Sequence, residues 1–77
     1  MISIIGGTGP EGKGLGLRLA MAGEKVFIGS REEPKGQEVA QQIKEIEGVR
    51  NITVEGGSNF NAAKMGDIII ISTPYSG

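Results

Sequence analysis

The chain has 77 residues, 14 of them glycine, a formal charge of −1, and neither cysteine nor histidine. That length allows one domain, and a single small core must stabilise it. The composition excludes a disulfide framework, a thiolate metal site and the commonest general base and metal ligand, and the balanced charge argues against a nucleic-acid face or an anionic membrane surface.

Ile2 to Ile5 is a short β-branched run bounded by glycine, the pattern of a buried parallel strand. It is too short for a signal peptide or a spanning helix, so a cytoplasmic location is the expectation. The stretch Gly6-Gly7-Thr8-Gly9-Pro10-Glu11-Gly12-Lys13-Gly14 follows, then a helix predicted from about Pro10 to Ala22 and stopped by Gly23. Strand, glycine turn and helix form the context in which Gly7, Gly9 and Gly12 spell a dinucleotide fingerprint. In that reading Gly7 turns the chain out of the strand and Gly9 admits a pyrophosphate against the backbone. Gly12 seats the helix closely on the sheet. Unpaired amides and the positive dipole end at the helix start then face the phosphates, with Pro10 suited to the first turn. Gly7, Thr8, Gly9, Pro10, Glu11 and Gly12 are the candidate residues. A mononucleotide P-loop is a near miss: Gly14 stands where the magnesium-binding Ser or Thr would follow Lys13.

On the first helix, Gly12, Leu15, Gly16 and Leu19 share one face, so two glycines draw it toward the sheet. Val26-Phe27-Ile28 reads as a second strand ended by Gly29-Ser30-Arg31. Pro34 opens a second helix, with Glu32 and Glu33 at its positive end, a stripe of Val39, Ile43 and Ile46, and Gly48 as its stop. Ile52-Thr53-Val54 reads as a weaker third strand and Gly56-Gly57 as a turn. Ser58 or Asn59 caps a short helix carrying Phe60, Ala63 and the stem of Lys64, ended by Gly66. Ile68 to Ile71 forms a fourth strand, apolar on both faces.

The alternation β-α-β-α-β-α-β without hairpin signals implies an α/β fold, a Rossmann-like doubly wound parallel sheet with strand order 3-2-1-4. The fourth strand then lies at an edge, yet its isoleucines suit a strand paired on both edges. The chain, residues 1–77, therefore reads as a dinucleotide-binding domain whose remainder is absent, the first half of a larger sheet. The alternative is a small domain that pairs the Ile68–Ile71 edge with another chain, as in a homo-oligomer.

An acid at the end of the second strand would select NAD, but that slot falls at Gly29 or Ser30. Ser30, Arg31 and Lys35 instead make a seat for the 2′-phosphate of NADP. The rival reading gives the acidic role to Glu32, about twenty residues past Gly12. Thr8 can reach a phosphate oxygen. Ser72-Thr73-Pro74-Tyr75 would line the nicotinamide half, although a plain strand exit also explains them.

Gly6 to Leu15, with Gly29-Ser30-Arg31 and Ser72-Thr73-Pro74, resembles the N-terminal domain of NADPH-dependent reductases of the deazaflavin coenzyme F420. Pyrroline-carboxylate reductases and 3-hydroxyacid dehydrogenases are similar in outline, and a non-catalytic nucleotide-sensing module is a further alternative. The resemblance implies hydride transfer between NADP and coenzyme F420 as co-substrate. It puts Thr8 by the phosphates, Ser30 and Arg31 on the 2′-phosphate, and Thr73 and Pro74 beside the nicotinamide. Transfer between two cofactors needs mainly positioning, so no catalytic side chain and no metal is expected.

Overall fold

In the computed structural model, which describes residues 1–46 and 51–72, four strands and three helices alternate along the chain. They are β1 (Ile2–Ile5), α1 (Pro10–Met21), β2 (Lys25–Ser30), α2 (Glu33–Lys44), β3 (Thr53–Ser58), α3 (Asn59–Met65) and β4 (Ile68–Ile71). All pairings are parallel and the sheet runs β3-β2-β1-β4. This is the Rossmann-like order expected from the alternation of elements. The reversal falls between β1 and β4, where Ile5 stands opposite Ile71.

Side chains alternate across the sheet. Ile4, Val26, Ile28 and Val54 form one buried layer with Ala20 of α1 and with Val39, Ala40 and Ile43 of α2. The opposite face carries Phe27 and Ser3, and there α3 buries Ala62 over Gly29. Along α1 the buried line is Gly12, Gly16 and Ala20, while Leu15 and Leu19 flank it, half-buried. Gly16 lets α1 approach β2: a Cβ there would stand 2.8 Å from Ile28 Cδ1. Gly23, at φ +95°, gives the left-handed stop that ends α1.

Four local expectations change. Gly56 and Gly57 form no turn; they are the middle of β3, paired with Ile28 and Gly29. Their lack of side chains serves packing, because a Cβ on Gly56 would overlap the Gly36 carbonyl of α2. β2 continues through Gly29 and Ser30, since both are paired with β3. The apolar stripe of α2 is Val39, Ala40 and Ile43, with Ile46 beyond the helix end, and Gly48 lies outside the described residues. On α3 the buried residue is Ala62, whereas Phe60 and Ala63 face solvent. Ser58 caps α3, its Oγ accepting the Asn61 amide at 3.1 Å.

Among the described residues β4 is paired on one edge only, and Ile68, Ile69 and Ile71 are each about half exposed or more. An unpaired strand edge bearing large apolar residues normally needs a cover.

Candidate dinucleotide site

At the carboxyl ends of the strands, where a doubly wound sheet binds its ligand, lies an open cleft of about 1140 Å³. Its walls come from the β1–α1 loop (Gly6, Thr8, Gly9), the start of α1 (Pro10, Glu11, Gly12), the β2–α2 connection (Ser30, Arg31, Glu32, Lys35), Asn59 of α3, and Ile5 and Ser72 at the switch point.

The loop is held by three backbone or side-chain bonds. Ser72 donates its amide to Ile5 at 2.9 Å, Gly6 to Asn59 Oδ1 at 3.0 Å, and Gly7 to the Gly29 carbonyl at 2.9 Å. The sharp bend is at Gly6, whose φ is +70°, one residue before the position predicted for it. Gly7 is instead pressed on Ile4, and Gly12 on Gly7. Gly12 thus keeps the helix tight, as expected, but against the loop; Gly16 makes the approach to the sheet.

With Gly6 and Gly7 engaged by the protein itself, the amides free for a ligand are those further along. Among the described residues, Thr8, Gly9, Glu11 and Gly12 have no backbone acceptor, Pro10 has no N–H, and the first internal bond of α1 runs from Lys13 to Gly9. Gly9 is the N-cap of α1 and supplies no side-chain cap. A Cβ on Gly9 would meet nothing within 4 Å, so the bare backbone there fronts the cleft. Uncapped amides at the positive end of a helix dipole are an anion-binding arrangement.

Across the cleft, Ser30 is buried and its Oγ accepts the Glu32 amide at 3.2 Å, which fixes the hydroxyl beside the start of α2. Arg31 and Lys35 are exposed, and among the described residues neither makes an ion pair. Glu32 also lines the cleft, as the N-cap of α2, and its side chain makes no cap bond. The structure therefore brings together Thr8, Gly9, Pro10, Glu11, Gly12, Ser30, Arg31 and Lys35, with Gly7 directly beneath. Thr73, Pro74 and Tyr75 lie outside the described residues. Two members were missed from the sequence: Gly6, overshadowed by the fingerprint glycines, and Asn59, read only as a helix cap.

Sheet order, switch-point cleft and glycine loop define a Rossmann-type dinucleotide-binding unit. The whole chain, residues 1–77, matches the family described as NADP oxidoreductase, coenzyme F420-dependent, and the protein belongs to that family. It is 47% identical over 73 residues to an F420-dependent NADP reductase of Methanothermobacter thermautotrophicus, covering 95% of this chain and 32% of the relative. It is 49% identical over 76 residues to the F420-dependent NADP reductase of Methanocaldococcus jannaschii, covering 96% and 34%. A probable arogenate/prephenate dehydrogenase of the same organism is 37% identical over 75 residues, covering 97% of this chain and 15% of that protein. The chain spans about a third of the length of the two reductases. No helix among the described residues is long and apolar enough to cross a membrane.

Proposed function

We propose that this chain is the NADP(H)-binding part of an oxidoreductase that moves hydride between NADP(H) and coenzyme F420. The observation that carries the nucleotide half is the facing of two features across one cleft. Free amides of Thr8, Gly9, Glu11 and Gly12 stand on one side, and the buried Ser30 hydroxyl with Arg31 and Lys35 on the other. The first set suits a pyrophosphate. The second suits a 2′-phosphate, whose charge and geometry a guanidinium fork matches. When bound, the nicotinamide supplies or accepts the hydride; the residues of this chain bind and orient it. Thr73 and Pro74 are assigned to the nicotinamide side. The deazaflavin partner is proposed from family membership and from the reductases named above.

On this reading the remaining strands of a doubly wound sheet would lie along β4, whose apolar faces and edge, unpaired among the described residues, ask for a covering strand. Titration of the chain with NADPH and with NADH, followed by nucleotide fluorescence, tests the cofactor assignment. Clear preference for NADPH is expected. Equal affinity, or preference for NADH, removes the selecting role from Arg31, and preference for NADH gives it to Glu32.

A further inference from the structure

We infer that Asn59 is a positioning residue of the nucleotide site, holding the glycine loop in its anion-binding shape through Gly6. The inference rests on the cofactor reading above and adds a residue outside the glycine fingerprint. Asn59 opens α3, on the sheet face opposite α1 and α2, yet its Oδ1 reaches across to accept the Gly6 amide at 3.0 Å. Gly6 is the one loop residue at positive φ, +70°, so its orientation sets the direction in which Thr8 and Gly9 leave the strand. On its other side Gly6 is backed by Ser72, whose carbonyl oxygen would be 2.8 Å from a Cβ there. The bend is thus clamped between α3 and the end of β4.

The geometry also explains the glycine of Gly29-Ser30-Arg31. A Cβ on Gly29 would stand 2.8 Å from Asn59 Oδ1 and 2.8 Å from Ala62 Cβ. Gly29 therefore clears the space through which Asn59 reaches Gly6, while its own carbonyl takes the Gly7 amide at 2.9 Å. One strand residue so secures both of the loop amides that the protein keeps for itself. Asn59 lines the cleft, but the role assigned to it is exerted through Gly6.

A residue acting through the loop must affect the pyrophosphate, which NADPH and NADH share, and not the 2′-phosphate. Asn59→Ala should weaken binding of both nucleotides by the same factor, about three- to tenfold, the scale of one hydrogen bond. Arg31→Ala should weaken NADPH alone. In the nucleotide-free chain, Asn59→Ala should speed amide hydrogen exchange at Gly6 by about tenfold or more, leaving Ile4 and Ile28 protected. Asn59→Asp, which keeps an acceptor in place, should restore slow exchange at Gly6. Asn59→Ser, whose hydroxyl is too short to reach but which suits a helix start, gives the same test if the alanine variant does not fold. Unchanged Gly6 exchange in the alanine and serine variants overturns the inference alone, as does a loss confined to NADPH. Failure of the wild-type chain to bind either nucleotide overturns the cofactor reading and this inference with it.

Discussion

Gly12 rests on Gly7: a Cβ on Gly12 would lie 2.6 Å from Gly7 Cα and 2.7 Å from its carbonyl oxygen. The obstacle is backbone, which cannot swing aside as a side chain can, and Gly7 is itself pinned by its bond to Gly29. Alanine in a helix gains about 1 kcal/mol over glycine, and overpacking costs about 1–3 kcal/mol. Here the clash should win. Gly12→Ala should lower the urea midpoint and weaken NADPH and NADH together, because the displaced loop carries the shared amides.

A second backbone-on-backbone contact joins α2 to β3. The Gly36 and Gly56 backbones touch, and a Cβ on either would overlap the facing main chain. Gly56→Ala should therefore cost about 3 kcal/mol or more, beyond the ordinary overpacking range. Stability for a chain of this size is roughly 4–12 kcal/mol, so the loss removes about a quarter to three quarters of it and should lower the melting point by about 12 °C or more. Circular dichroism on thermal melting is the check; a melting point within a few degrees of wild type would mean that α2 slides without cost.

Lys35 lies on the first turn of α2 beside Arg31 and Ser30. As an exposed ammonium, it should contribute a screened point charge and not a geometric fork. Lys35→Ala should cost NADPH affinity about 0.5–1.5 kcal/mol at low salt, less than Arg31→Ala at about 1.5–3 kcal/mol. The difference between Lys35→Ala and wild type should shrink as sodium chloride rises. Equal losses at low and high salt would show that Lys35 acts by packing.

What could be read from the residues was the sheet. Short β-branched runs and helix-breaking glycines are local signals, and four parallel strands separated by helices permit few orders. That the glycine loop and Ser30-Arg31 meet at one cleft was legible because their spacing from Gly12 is set by one helix and one strand. Gly56 and Gly57 misled because local propensity marks paired glycines as a turn, whereas their reason is a helix packed on them from elsewhere in the chain. Asn59 escaped for the same reason. Its partner Gly6 is 53 residues away, and no periodicity records such a bond. The sequence placed Phe60 and Ala63 on the short helix without showing which residue it buries, and it is Ala62 that fills the narrow space above Gly29.

The terminal amine of Met1 donates to Asp67 Oδ2 at 2.9 Å, tying the start of β1 to the turn before β4. This hydrogen bond, and then the charge of the same amine, holds the Asp67 carboxyl below its ordinary value. A carboxyl whose pKa is depressed in the folded state adds stability above its unfolded pKa of about 3.9. That contribution is lost as pH falls through the lower folded value. The pair is exposed, so the effect should be small and salt-sensitive. Asp67→Asn should flatten the fall of the urea midpoint below about pH 4 while leaving the wild-type trend above it nearly unchanged. An identical acid slope in both proteins would show that the pair contributes nothing to folding.

Along the free edge of the sheet, Ile69 and Ile71 point to one face of β4 and Ile68 to the other, and all three are substantially exposed. Phe60 and Met65 of α3 add to the apolar surface, at 72% and 51% exposure. Such a surface on an unpaired edge drives association unless another strand or layer covers it. The isolated 77-residue chain should therefore elute at a mass that rises with concentration. Ile69→Lys and Ile71→Lys, each placing a charge beside the open edge, should return it toward the monomer without changing NADPH affinity, because the cleft lies at the strand ends beyond them. Sedimentation velocity across a concentration series decides the matter. A wild-type chain that stays monomeric at high concentration would show that β4 tolerates water, and the argument for a covering strand would go with it.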